Sequence, residues 1–299
     1  MEKEIDWETS VWGEKDEHGT LNYITEKKVI EASQLVRQGR VYRLSHIISD
    51  EMPYRLSHGP FFYTTTFRPQ DYHEPFRPVS KNKAGANIGR MELSDHSGTH
   101  IDSLNHISRD GKFYNGIDAI NGTGPKGTVK LGIETTPPIV TRGILADICS
   151  VRGVDMIEYG PITGIDVETA LKEAGITAGA GDALLIYTGS SRLWNEKERF
   201  MELYNKSSGI GLDLSKWMIA NKIAIAGVDT PSSEVNPPEE NGTLLPVHQF
   251  LITGHGLRLI DNMKLDEAAA AGLREFMFVC SPVPVRGATA SPVSPVAVI

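Results

Sequence analysis

Gly181-Asp182-Ala183-Leu184-Leu185-Ile186-Tyr187 reads as a Gly-Asp turn feeding an unbroken apolar run, which predicts a buried strand. Ile223-Ala224-Ile225-Ala226-Gly227-Val228 predicts a second. Helical rhythms lie between and before them: Asp166 is placed to cap a helix over 167–174 closed by Gly175, and Asp213 to cap one through Trp217 and Met218. Further on, residues 247–252 predict a helix, 257–260 a strand and 276–280 a last strand. Strands interleaved with helices argue for an α/β fold. With no internal repeat and no dividing linker, residues 1–299 read as one domain.

Towards the N-terminus, Thr25 is placed to cap a helix through Val29, Ile30, Ala32, Leu35 and Val36, ending at Gly39. Val41 to Ile48 is rich in strand formers. Residues 50–90 hold Pro, Gly and aromatic residues without a period, which predicts irregular loop with short strands. The tail from Ser281 to Ile299 repeats Ser-Pro and Val. Its composition fits a flexible tail, and its Val and Ile content an extended segment packed on the body or on a neighbouring subunit.

Of the 299 residues 40% are hydrophobic and 23% charged, and the net charge is −8. No stretch concentrates Lys and Arg, so the sequence offers nothing to neutralise phosphates and excludes nucleic acid and an acidic membrane surface as expected partners. No apolar run approaches the roughly 20 residues that span a bilayer, and residues 1–6 lack the apolar core of a secretion signal. Cys149 and Cys280 stand far apart and outside any CxxC pair, so both are expected reduced and buried. These features together fit a cytoplasmic location.

The chemistry concentrates in Asp95-His96-Ser97-Gly98-Thr99-His100-Ile101-Asp102-Ser103-Leu104-Asn105-His106. His96, His100, Asp102 and His106 lie at offsets 0, 4, 6 and 10. Every offset is even, so in an extended chain all four side chains project from one face, with Gly98 leaving the space before them open. On a helix the same offsets spread over about 160°. Imidazoles and a carboxylate are the ligands that Zn²⁺ or Mn²⁺ accepts, and such an ion activates water. His96, His100 and Asp102 are the expected ligands, with His106 placed to carry protons. The bland alternative, an ordinary polar turn, does not account for three of nine histidines falling within eleven residues.

The pattern His-x-Gly-Thr-His-x-Asp-x-x-x-His resembles the signature of the cyclase family of metal-dependent hydrolases, which includes bacterial kynurenine formamidase, isatin hydrolase and a dienelactone hydrolase. Trp12-Gly13, Gly19-Thr20-Leu21-Asn22, Tyr114-Asn115-Gly116, Gly181 to Leu185, Pro246-Val247-His248 and Ser291 to Pro295 also resemble family landmarks, so the likeness spans nearly the whole chain. It implies a single α/β domain with a central mixed β-sheet or barrel-like core flanked by helices, assembled as a homodimer or homotetramer. It implies that His96, His100 and Asp102 bind the metal, that His106 is the proton donor or acceptor, and that His248 serves a second ion. Asp261 stands where the formamidases carry a bridging glutamate, at a spacing one residue longer, so one or two ions remain open. Tyr54 falls where the formamidases keep an aromatic residue against the substrate, and Phe61 and Phe62 follow closely. An aromatic loop of this kind stacks a flat substrate or simply forms loop core.

The expected function is hydrolysis of an amide-type bond, such as that of the cyclic amide isatin, by metal-activated water. The rivals are arylformamidase action on N-formylkynurenine, lactone hydrolysis, and a non-catalytic metal- or ligand-binding protein.

Overall fold

The computed structural model describes residues 9–72, 81–82 and 84–299; the acidic start at residues 1–6 lies outside them. In chain order the strands are β1 (Val41–Arg43), β2 (Phe62–Phe67), β3 (Ile88–Glu92), β4 (His100–Asp102), β5 (Thr123–Gly124), β6 (Gly127–Thr128), β7 (Ile139–Asp147) and β8 (Gly160–Ile162). They continue with β9 (Ala183–Tyr187), β10 (Ser208–Ile210), β11 (Ile225–Val228), β12 (Arg258–Asp261), β13 (Glu275–Cys280), β14 (Ala290–Pro292) and β15 (Val296–Val298). The α-helices are α1 (Glu26–Ser33), α2 (Ile148–Arg152), α3 (Gly164–Glu173), α4 (Lys197–Glu202), α5 (Leu212–Ala220), α6 (Pro246–His248) and α7 (Asp266–Ala270). A π-helical turn over Gln249–Gly254 extends α6.

Nine strands form a mixed sheet in the order β1-β15-β13-β7-β9-β11-β12-β4-β14. The middle four, β7, β9, β11 and β12, run parallel, and every other pairing is antiparallel. All residues of β9 and β11 are buried, as unbroken apolar runs require of parallel strands covered on both faces. Ala183 pairs with both Gly143 and Ile225, which sets the register of the central sheet. Each buried Leu or Ile here contributes about 1.5–3 kcal/mol of transfer free energy. Helix α1 packs on β7 and β13, and α3 lies between β7 and α5. The turn before β9 has its own anchor. Asp182 is buried and accepts from Lys28 Nζ, from Arg142 Nε at 2.8 Å and from Gly179 N at 2.8 Å, tying α1 to the sheet.

Helix starts depart from expectation in instructive ways. Thr25 caps α1 as predicted, accepting from Lys28 N, but the helix ends at Ser33 rather than running through Val36. The cap of α3 is Thr163, not Asp166. Asp166 sits at the third helical position and accepts from Thr163 N, the reciprocal half of a capping box. Asp213 likewise lies inside the first turn of α5 behind the cap Gly211, and its carboxylate accepts from Gly164 N at 2.8 Å, linking α5 to α3.

The strand expected over 41–48 stops at Arg43. Its ladder partner changes there, because Pro295 has no N–H to continue pairing and offers only its carbonyl to Leu44 N. The C-terminal tail is ordered sheet: β15 fills the seam between β1 and β13, and β14 pairs with β4. Cys149 and Cys280 are both buried and free.

Candidate active site

Strand β4 lies between β12 and β14 near one edge of the nine-stranded sheet. Antiparallel pairing with β12 sets Asp261 opposite His100, and pairing with β14 sets Ala290 opposite Asp102. Only His100–Asp102 is extended, so the expectation of one long strand carrying all four side chains does not hold. His96 comes from the turn before β4 and His106 from the bend after it. Gly98 makes the first turn possible with φ +62°, a left-handed conformation that glycine adopts without strain. Its role is therefore conformational rather than the clearing of space.

The four groups nevertheless converge. The His96 ring centroid lies 5.0 Å from that of His100 and 4.3 Å from that of His106. Asp102 is the hub. Its Oδ1 lies 3.3 Å from His96 Nδ1 and 3.8 Å from His100 Nε2, and its Oδ2 lies 4.0 Å from His106 Nε2 and 3.9 Å from His248 Nε2. Asp261 Oδ2 stands 3.7 Å from His100 Nε2. Two triads have ligand atoms within 4.8 Å of one another: His96, Asp102 and His106, and Asp102, His248 and Asp261. His248 is 2% exposed, and Asp261 joins the cluster despite its shorter arm.

These residues fit a divalent cation. Both Asp102 oxygens are buried and accept no hydrogen bond. Leaving a carboxylate so deprived of donors is costly unless a cation takes their place. The separations of 3.8–4.0 Å from Asp102 to the Nε2 atoms of His100, His106 and His248 are too long for hydrogen bonds and leave room for an ion between, and the nearest nitrogen, His96 Nδ1, stands 3.3 Å from Oδ1. The far side of the His100 ring is also committed, its Nδ1 lying 2.9 Å from the Gly98 carbonyl. A donor bond there turns the Nε2 lone pair inward.

Electrostatics divide the histidines. Burial and the neighbouring imidazoles His96, His248 and His100 push His106 down to about 3 against the pull of Asp102, so it is neutral at pH 7. His248 moves to about 9: burial would lower it, but Glu234, Asp261 and Asp102 outweigh that. His96 is also raised, since burial is outweighed by Asp102 beside it and by Asp95 and Asp261. Burial raises the Asp261 carboxyl, reinforced by the charge of Asp102.

The three aromatic residues of the expected wall sit in three different settings. Tyr54 is half-buried with the Lys197 ammonium 4.9 Å from its ring centroid. Phe61 packs on a separate small core of Met52, Leu193, Trp194, Phe200 and Leu203. Phe62 is 60% exposed on the β2–β3 hairpin. From that loop it is His58 that reaches the cluster, its ring centroid 5.4 Å from that of His96.

Supporting residues escaped the sequence reading. Thr289 Oγ1 lies 3.0 Å from His96 Nε2 and donates to Asp95, which also accepts from Thr289 N. Ser233 and Glu234 hold Asp261 and His248. None stands at a spacing from its partner that would mark it in the sequence.

A buried cluster of imidazoles and carboxylates, mounted on a mixed α/β sheet around Asp102, makes a candidate divalent-metal centre of the kind a metal-dependent hydrolase uses. The chain belongs to the cyclase family, whose model, described as "Putative cyclase", matches residues 42–235, more than half of it. It is 25% identical to the kynurenine formamidase of Bacillus cereus over 215 residues, covering 72% of this chain and 81% of that one. To the kynurenine formamidase of Geobacillus thermodenitrificans it is 23% identical over 251 residues, 84% of this chain and 93% of that one. Among solved structures, a crystal structure of a novel cyclase superposes with TM-score 0.85 at 29% identity, covering 96% of this chain and 98% of that one. Isatin hydrolase A from Ralstonia solanacearum shares the fold at TM-score 0.62 and 19% identity, covering 86% and 91%.

Proposed function

We propose that the protein hydrolyses the C–N bond of a small cyclic amide or imide, of which isatin is the model substrate, with Mn²⁺ or Zn²⁺ held by His96, His100, Asp102, His248 and Asp261. The observation that carries this reading is Asp102, whose two buried oxygens accept no hydrogen bond and face four imidazoles. A bound divalent ion would polarise the substrate carbonyl and bring the pKa of water toward about 7.

The chain's own groups supply the rest. His106, neutral and beside the cluster, accepts a proton from water as its oxygen bonds to the acyl carbon. When the C–N bond breaks, the same imidazole returns that proton to the leaving nitrogen. The low-dielectric surroundings strengthen each of these interactions.

A second reading, arylformamidase action on N-formylkynurenine, draws support from Asp261. That carboxylate completes a second triad with Asp102 and His248, as a two-ion site would use. Side-by-side assays of isatin and N-formylkynurenine with added Mn²⁺ or Zn²⁺, against a chelated control, decide between them. Metal-dependent turnover of isatin in excess supports the first reading. No turnover of either by metal-loaded protein favours a non-catalytic binder.

We also propose a cytoplasmic homodimer or homotetramer. The β2–β3 hairpin exposes Phe62, Tyr63, Ile88 and Met91, an apolar surface that a second copy would cover, since a two-stranded hairpin alone in water is marginal.

A further inference from the structure

We infer that the consecutive pair Ser233-Glu234 positions both ligands of the remote half of the cluster, Asp261 and His248, and so governs whether that half can grip an ion. The inference rests on the metal-site reading above.

Glu234 is 3% exposed, and one of its oxygens, Oε2, collects three contacts: Val247 N donates at 2.9 Å, His248 N at 3.1 Å, and the His248 ring Nδ1 lies at 3.0 Å. Backbone and ring of His248 are thus locked to the same atom. With Nδ1 donating to Glu234, the other nitrogen, Nε2, is presented to Asp102 Oδ2 at 3.9 Å. Next door, Ser233 Oγ donates to Asp261 Oδ1 at 2.5 Å, leaving Asp261 Oδ2 turned to His100. One dipeptide therefore orients two ligands that come from different elements, α6 and β12.

The dipeptide is itself held rigidly. Ile210 N donates to Ser233 O and Val235 N to Ile210 O, a short parallel bridge along β10. At Gly209 a Cβ would sit 2.4 Å from the Glu234 carbonyl carbon, so only glycine lets the two backbones approach this closely. The other half of the cluster has separate support, His96 resting on Thr289. Loosening Ser233 or Glu234 should therefore act first on the half that holds Asp261 and His248.

Titrating Co²⁺ into metal-free wild type, Glu234→Gln and Ser233→Ala, followed by calorimetry and by visible absorption, tests this. Each variant should weaken Co²⁺ binding about 10–100-fold and alter its absorption bands, at one class of site if wild type binds two ions and at the single site if it binds one. Ser233→Ala keeps the test open should Glu234→Gln fold poorly. Both variants binding every equivalent of Co²⁺ as tightly as wild type would overturn the positioning role. A wild type that takes up no Co²⁺ would instead overturn the metal-site reading, and this inference with it.

Discussion

Asp261 and His100 are cross-strand partners, paired in register across the antiparallel β12–β4 ladder, and their side chains meet with 3.7 Å between Oδ2 and Nε2. They lie 161 positions apart in sequence, so the site depends on sheet register. A one-residue slip of β4 would carry the His100 and Asp102 side chains to the opposite face. On its other side, β14 fixes the same register through Pro292 opposite His100. Strand β14 is thus part of what holds the site together.

The roles of the histidines separate under mutation. His106→Ala is expected to keep bound metal and lose about 10²–10⁴-fold in kcat, the usual worth of a positioned acid–base group. His100→Ala is expected to lose both. Elemental analysis and turnover of each variant check this; a His106 variant with undiminished kcat removes its proton-carrying role.

His46 is expected to make the fold acid-sensitive. Its ring stacks on Trp194 with centroids 4.1 Å apart, and burial, with Lys264 and Arg43 nearby, lowers its pKa from 6.5 to about 3. Between pH 3 and 6.5 the unfolded chain binds the proton that the folded ring refuses, so stability falls as pH drops through that window and is fully present above it. Thermal melts at pH 5 and pH 7 should show a smaller difference in His46→Gln than in wild type.

The tail gives a stability test. Ala297 is fully buried opposite both Tyr42 and Phe278, so Ala297→Asp places an unpaired charge in the seam between β1 and β13. A loss of several kcal/mol is expected. Val296→Asp, at a half-buried position, should cost clearly less in the same melts.

Gly98→Ala couples stability to the site. A side chain at φ +62° costs on the order of 1 kcal/mol, and the new Cβ would stand 3.2 Å from Ile48 Cγ1. The Gly98 carbonyl lies 2.9 Å from His100 Nδ1 and accepts from Asn262 Nδ2 at 3.0 Å, so metal affinity should fall along with Tm. Unchanged affinity would show that the turn does not position His100.

Local pattern carried much of this fold. The apolar runs at 183–187 and 225–228 form the two central strands because both faces are covered, and Thr25 caps its helix through a contact three residues away. Asp166 misled because aspartate serves as well at the third helical position as at the cap, and only the geometry of Thr163 decides. The Ser-Pro tail was ambiguous because its strands are completed by partners far away in sequence, β14 by β4 and one side of β15 by β1, where Val298 pairs with Val41. His96, His100, Asp102 and His106 stood out because they are close in sequence, although two turns and a three-residue strand, not one long strand, bring them together. Glu234 was invisible because its function depends on a fold that places it against His248.

Whether Asp102 and the imidazoles around it hold a divalent cation is answered by anomalous scattering from crystals soaked in Mn²⁺. A peak within coordinating distance of an Asp102 oxygen and of imidazole nitrogens of the cluster, Nδ1 of His96 and Nε2 of His100 or His248, is predicted. Density at the cluster showing the side chains apart, with no anomalous peak among them, would contradict it.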